Sequence, residues 1–423
     1  MAVKIGLGAA RAVGARAASI FASFVLTIVV ARTLGLEASG LFFLVLSAVA
    51  GVATFGRFGT DNLALKLVGG GGSQARHDVW RLVKIAAAAS VVGTCGAFGV
   101  AIAVRGELPG IGPAVLAAAA SAVIPQALSV LAGSVLRARG RIALGTTAEL
   151  GSTPALAAIA IVAAGAVGDV TLDGAITSLT IASWITGAWS LLAMHGSLRA
   201  RHDDARLPPA TVPSGIALGS LSAMMGTSLI FYVLTWVPVF LLSAAGAFEA
   251  VSLYTASARL VGFITLIPAI QVSYLAPRFA QLYQARELPI LNRLAGRSAL
   301  VALGLSAVPS TLLVVAPGFV LEVTYGVDFR AAAPAVVLLS LGALTAAAAG
   351  QVNQLMLLCD SERFALAING ALLVIWLAGG WLLASNHGLV GVAGLALGTT
   401  LVYNVAAVVR LHSTRGIRSF AWR

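Results

Sequence analysis

Charge is what this 423-residue sequence has least of. Only 10% of its residues are Asp, Glu, Lys or Arg, where a soluble domain carries about a quarter. With 59% hydrophobic residues and a mean hydropathy of +0.97, this scarcity excludes an ordinary soluble domain and leaves an all-α polytopic membrane protein. Acid is scarcer than base: fifteen Asp and Glu stand against twenty-seven Lys and Arg. Cysteine is nearly missing, with Cys95 inside an apolar run and Cys359 at the edge of another, so neither a disulfide framework nor a CxxC metal or redox site is expected. The five histidines, His77, His195, His202, His387 and His412, are scattered without HExxH or other ligand spacing. The adjacent acids Asp203 and Asp204 are flanked by Arg201 and Arg206 and read as a solvated charge cluster. No outer connection exceeds roughly a dozen residues by the 20-residue span rule, which leaves little room for a catalytic domain there. An enzyme is not expected, and no cofactor or metal is implied.

The net charge of +12 raises nucleic acid as a partner, but the basic residues are dispersed among apolar segments rather than gathered on one domain. Topology accounts for them better, since loops kept in the cytoplasm retain Lys and Arg. The first apolar stretch is too long for a signal-peptide core and is expected to stay as a membrane anchor.

Abundance lies elsewhere: forty-six glycines and fourteen prolines, both frequent in transmembrane helices. Twelve segments of spanning length can be drawn, near 11–31, 40–60, 85–104, 113–136, 146–167, 175–196, 216–244, 251–275, 298–321, 334–357, 365–384 and 389–409. One alternating set of connections, with the C-terminal tail, holds at least eighteen basic residues, among them Arg76, Arg137, Arg286 and Arg415; the other holds Arg32, Arg105 and Arg330. That asymmetry predicts both termini in the cytoplasm and a multi-pass protein of the inner (plasma) membrane. Two basic connections, Ser73 to Lys84 and Arg278 to Arg297, carry Trp80, Phe279, Leu282 and Leu291 at helical spacing. They read as solvated loops or as interfacial amphipathic helices. The run Gly69 to Gly72 reads as a flexible joint.

Those two connections follow the second and eighth segments, which points to a repeat. Glu37, Gly40 and Phe42 at the opening of segment two are echoed by Glu249, Ser252 and Tyr254, and Arg139-Gly140-Arg141 by Ser361-Glu362-Arg363. Six plus six spans in one orientation imply two parallel six-helix lobes, 1–205 and 206–423, an architecture that transporters use.

Ionisable residues inside spans must face protein or water, because burying a charge in hydrocarbon is costly. Arg259 lies well inside segment eight; it can line a cavity, pair across helices with an acid such as Glu149, or snorkel. Arg16 shares a helix face with Ser19 and Ser23, while Arg11 sits nearer the cytoplasmic surface. Arg57 and Asp61 are spaced for a local ion pair. Gln126, Gln271, Gln351 and Asn353 are possible cavity groups or packing glue between helices.

Several motifs run in order along the chain: Ala31 to Gly35 followed by Glu37 and Gly40-Leu41-Phe42; Leu136 to Arg141; Tyr325-Gly326-Val327-Asp328-Phe329; and Asn353-Gln354 leading to Ser361-Glu362-Arg363. In these the chain resembles the polysaccharide (O-antigen type) flippase branch of the multidrug/oligosaccharidyl-lipid/polysaccharide exporter superfamily. The resemblance implies a MATE/lipid II flippase-like fold with alternating access. The implied substrate is a polyprenyl-diphosphate-linked glycan, moved to the outer face of the membrane for polysaccharide biosynthesis. Its implied surroundings are membrane lipids and glycan polymerase or ligase machinery. The functional arginines of the related lipid II flippases map onto Arg11, Arg16 and Arg259, which makes Arg16 and Arg259 a two-arginine phosphate clamp at the lobe interface. A multidrug or small-solute exporter of the same fold and a membrane glycan polymerase are the competing readings.

Overall fold

The computed structural model describes residues 7–69, 73–103, 111–199, 218–359, 361–417 and 419–420, and every regular element among them is helical. Apolar runs with no strand partner satisfy their backbone groups within the segment, as hydrocarbon requires. Among the described residues, nine helices are long and apolar enough to span a membrane. The chain is therefore a multi-pass membrane protein.

Two of the nine are double. The spanning part of α1 (Leu7–Gly56) runs for 46 residues, about 70 Å at 1.5 Å per residue, twice the ~30 Å of a hydrocarbon core. It breaks at Gly35, where φ is 76° and ψ −177°, a conformation essentially confined to glycine that costs an L side chain about 1–3 kcal/mol. Across the break the Ser39 hydroxyl donates to the Val30 carbonyl at 3.1 Å. Nine residues of continuous helix would separate these groups by about 13 Å, so the chain folds back on itself. The last long helix, α15 (Glu362–Arg415), breaks likewise at Gly388, φ 52°. There a methyl on Gly391 would lie 2.7 Å from the Leu383 carbonyl, so these residues also meet across a reversal. Counting each as two adds two spans, and α9 (Leu218–Ala244), whose apolar stretch Ser228–Ala244 is shorter, completes the twelve.

The chain divides into two compact units, Met1–Val233 and Leu234–Arg423. The boundary anticipated at 205/206, with the Asp203–Asp204 pair, lies outside the described residues.

Unit 1 contains α1, α2 (Thr60–Gly69), α3 (Ser73–Ala103), α4 (Pro113–Ser121) and α5 (Val123–Ala138). These are followed by α6 (Ile142–Thr146), a π-helical turn (Thr147–Gly151), α7 (Ser152–Gly165) and α8 (Leu172–Arg199). The stretch Ser73 to Lys84 is neither a loop nor a separate interfacial helix but the first turns of α3. Val79 and Leu82 are buried there against Leu63, Leu131 and Met194, and Trp80 meets His195 edge-on with centroids 5.8 Å apart. The first half of α9 docks on the same unit, with the Tyr232 hydroxyl donating to the Ser47 carbonyl.

Unit 2 continues with α10 (Phe248–Gln284), α11 (Leu288–Val315), α12 (Pro317–Tyr325), a 3-10 turn (Val327–Ala332), α13 (Ala333–Ala349), α14 (Val352–Leu358) and α15. The basic connection Arg278 to Arg297 likewise belongs to the ends of two long helices, joined by a short turn in which Arg286 has φ 58°. Phe279, Leu282 and Leu291 are buried together with Leu355, Met356 and Leu411. Amphipathic spacing marks packing inside the protein in both cases, because the apolar faces of these helical ends are buried against neighbouring helices.

Candidate functional site

Unit 1 gathers charge at one place. Arg57 directly follows α1, and the next two residues, Phe58 and Gly59, have φ of 49° and 73° and turn the chain into α2. This turn lets Arg57 donate to Asp61 at 3.1 Å and to Thr54 at 2.7 Å, the local ion pair that i, i+4 spacing announces. A second pair joins Arg137, near the end of α5, to Glu149 on the π-helical turn; Ser134 accepts a further hydrogen bond from Arg137 at 2.9 Å. Glu149 is thus engaged within unit 1, on a different arginine from the Arg259 considered in the sequence.

Backbone proximity makes the Arg137–Glu149 pair possible. A methyl on Gly145 would lie 2.5 Å from the Gly133 carbonyl and 2.7 Å from Cγ of Arg137. Only hydrogen at these positions lets α5 and α6 approach so closely. The wide turn then follows, with the Ser152 hydroxyl bonded to the Thr147 carbonyl at 2.9 Å. Single π turns inside helices recur at functional sites.

Arg16 lies on α1 within electrostatic range of Arg137, as do Arg57 and Asp61. Its side chain is exposed, and among the described residues it makes no hydrogen bond or ion pair. Three guanidinium groups therefore share a neighbourhood with two carboxylates. Arg11 is also exposed and lies four residues before Ala15 on the same helix face. Ala15 begins a groove that Ser19, Ala22, Gly151, Ser152 and Trp189 continue. Gln126 is half-buried in α5 behind Pro125.

In unit 2, Arg259 is half-buried on α10 and makes no hydrogen bond or ion pair among the described residues. Its titratable neighbour is Tyr325. This tyrosine ends α12, is buried beside Phe329 with centroids 5.3 Å apart, and reaches the Ala256 carbonyl at 3.4 Å. Burial pushes the Tyr325 hydroxyl above its ordinary range, and the Arg259 guanidinium pulls it partly back. The phenol stays neutral, so it does not cancel the charge of Arg259. The Tyr325-to-Phe329 motif thus lies against the arginine that the sequence singles out, a juxtaposition that only the fold reveals.

The remaining polar candidates separate. Gln351 is buried and donates to the Pro268 carbonyl at 3.1 Å and to Gln271 at 3.2 Å; Gln271 in turn donates to the Ser298 carbonyl at 3.3 Å. Asn353 is exposed and accepts from the Tyr403 hydroxyl at 2.8 Å. Arg16 and Arg259 fall in different units. Among the described residues no cluster of His, Cys, Asp and Glu could hold a metal ion.

No family model and no curated protein matches this sequence. Solved structures do. The lipid II flippase MurJ in an inward closed conformation aligns over 96% of this chain and 87% of its own, with TM-score 0.66 and 9% identity. A MOP superfamily transporter from Pyrococcus furiosus, described as having a binding pocket of reverse polarity, aligns over 95% and 93%, with TM-score 0.66 and 13% identity. The Vibrio cholerae MATE transporter VcmN in its bent form aligns over 95% and 95%, with TM-score 0.61 and 17% identity. At such identities the likeness establishes the fold: this chain is an all-α, MATE/lipid II flippase-like polytopic membrane protein.

Proposed function

We propose that the protein is an alternating-access transporter that carries a polyprenyl-diphosphate-linked oligosaccharide from the cytoplasmic to the outer face of the inner membrane, with both of its termini in the cytoplasm. The observation that carries this reading is the excess of guanidinium over carboxylate within the spanning bundle. Among the described residues, Arg16, Arg57 and Arg137 share their neighbourhood with Asp61 and Glu149 alone in unit 1, and Arg259 has no acid beside it in unit 2. A diphosphate is an anion that cannot cross hydrocarbon uncompensated, and arginine offers it a permanent charge with paired donors.

Arg16 and Arg259 are the residues proposed to meet the diphosphate, with Arg11 receiving it from the cytoplasmic surface. Gln126 and Asn353 remain candidates for contact with the sugar. Gln271 and Gln351 hold helices together. The same charge balance disfavours export of organic cations, because Asp61 and Glu149 already serve Arg57 and Arg137. Lipid-linked glycans assayed on each membrane face after gene deletion test the proposal: it expects accumulation on the cytoplasmic face, reversed by the wild-type gene. Unchanged sidedness overturns it.

A further inference from the structure

Arg137 was counted among the basic residues of a cytoplasmic connection, where a charge ordinarily needs no partner. Its surroundings are different. It leaves α5 where Gly133 and Gly145 bring two backbones into contact, it is held by Ser134 and Glu149, and its side chain is 28% exposed against 22% for Glu149. A pair so far withdrawn from water is screened less than a surface pair and still has a face through which a ligand can enter.

The charges around it do not balance. Arg16, from α1, and Arg57, at the α1–α2 turn, both repel Arg137, while Asp61 is already engaged by Arg57. Among the described residues Glu149 is the one carboxylate paired with Arg137, and it rides on a turn of different pitch from the helices on either side. Withdrawing Glu149 would leave three cations around a single acid, a vacancy suited to a dianion. A phosphate group offers more acceptor oxygens than a carboxylate and carries more charge.

We propose that Arg137 is a phosphate ligand of unit 1 alongside Arg16, and that Glu149 is its resident counter-ion, exchanged for the substrate diphosphate on binding and restored on release. The inference rests on the function proposed above and deepens it, by adding a ligand and giving an acid the task of resetting the site. Glu149 makes the empty site stable and keeps bound diphosphate from being held too tightly to leave. Arg57, bonded to both Thr54 and Asp61, keeps its own partners and tunes the field.

The test is binding of geranylgeranyl diphosphate, with geranylgeraniol as the uncharged control, to the detergent-solubilised full chain by microscale thermophoresis. Thermal unfolding is followed on each protein. The wild type is expected to prefer the diphosphate. Arg137→Gln is expected to weaken diphosphate binding about tenfold, the equivalent of one charge-assisted hydrogen bond. Glu149→Gln is expected to tighten it several-fold and to slow dissociation. The double variant Arg137→Gln/Glu149→Gln keeps the net charge of the cluster and replaces the ion pair by two amides. It is expected to bind as weakly as Arg137→Gln alone. A purely structural pair gives the opposite pattern: the single variants unfold at lower temperature, and the double variant binds as the wild type does. That pattern, or unchanged or weaker binding by a folded Glu149→Gln protein, overturns the inference. If Arg16→Gln weakens diphosphate binding while all three Arg137 and Glu149 variants leave it untouched, this inference falls and the proposed function stands. Equal wild-type affinity for diphosphate and alcohol removes both.

Discussion

The amide of Gln351 donates to the side-chain carbonyl of Gln271 at 3.2 Å, and its other bond goes to the Pro268 carbonyl at 3.1 Å. Both glutamines qualify from sequence alone as cavity groups or as glue, and we propose that these bonds make them glue. Proline cannot donate an amide hydrogen, and polar groups freed in a bent helix need partners from neighbouring helices. Gln351→Leu should therefore cost about 1–3 kcal/mol, the usual loss for leaving buried polar atoms unpaired. Thermal unfolding in detergent checks this. Transport per folded molecule should stay at the wild-type level, and a transport defect with unchanged stability would place Gln351 in the substrate path.

Gly145 makes a sharper case. A methyl there would meet the Gly133 carbonyl at 2.5 Å and Arg137 at 2.7 Å, so Gly145→Ala should destabilise by about 1–3 kcal/mol through overpacking. The comparison is Gly96→Ala, where nothing lies within 4 Å of the added methyl and the unfolding temperature should not fall. Equal behaviour of the two variants would contradict the close approach of α5 and α6.

At the first hairpin, Gly35→Ala forces an L side chain to φ 76° and ψ −177° and should cost about 1–3 kcal/mol. Ser39→Ala should lose less, since its hydrogen bond to the Val30 carbonyl contributes roughly 0.5–1.5 kcal/mol net. Folded yield at a fixed temperature and thermal unfolding measure both.

Orientation is accessible through cysteine chemistry, because only Cys95 and Cys359 need removal. In a protein carrying Cys95→Ala and Cys359→Ala, a cysteine at exposed Arg286 or His412 should react with an impermeant maleimide only from the cytoplasmic side. One at exposed Val327 should react only from outside. The reverse labelling would invert the topology deduced from basic residues.

Much of the fold was legible because hydropathy reads the length of each apolar run, and the bilayer fixes how long a run must be. The hairpin reversals at Gly35 and Gly388 fall between drawn segments for this reason. Helix continuation into Ser73 to Lys84 was not legible, since amphipathic spacing looks alike whether the apolar face meets lipid or Leu131 and Met194. The partnership of Arg137 with Glu149 was hidden too. It depends on two glycines that let helices touch and on a turn of altered pitch, neither of which leaves a mark in hydropathy. Arg57 and Asp61 were legible because they lie only four residues apart, although the turn at Phe58 and Gly59 rather than a continuous helix brings them together. Tyr325 belongs to a motif visible in the sequence, but its place beside Arg259 arises from the return of the chain after α11.

The most direct measurement of the central claim follows lipid-linked glycans on each membrane face in cells that carry the wild type, Arg259→Lys or Arg259→Ala at equal expression. The account expects export by the wild type, partial export by Arg259→Lys, which keeps the charge and loses the paired donors, and cytoplasmic accumulation with Arg259→Ala. Full export by both variants would contradict it.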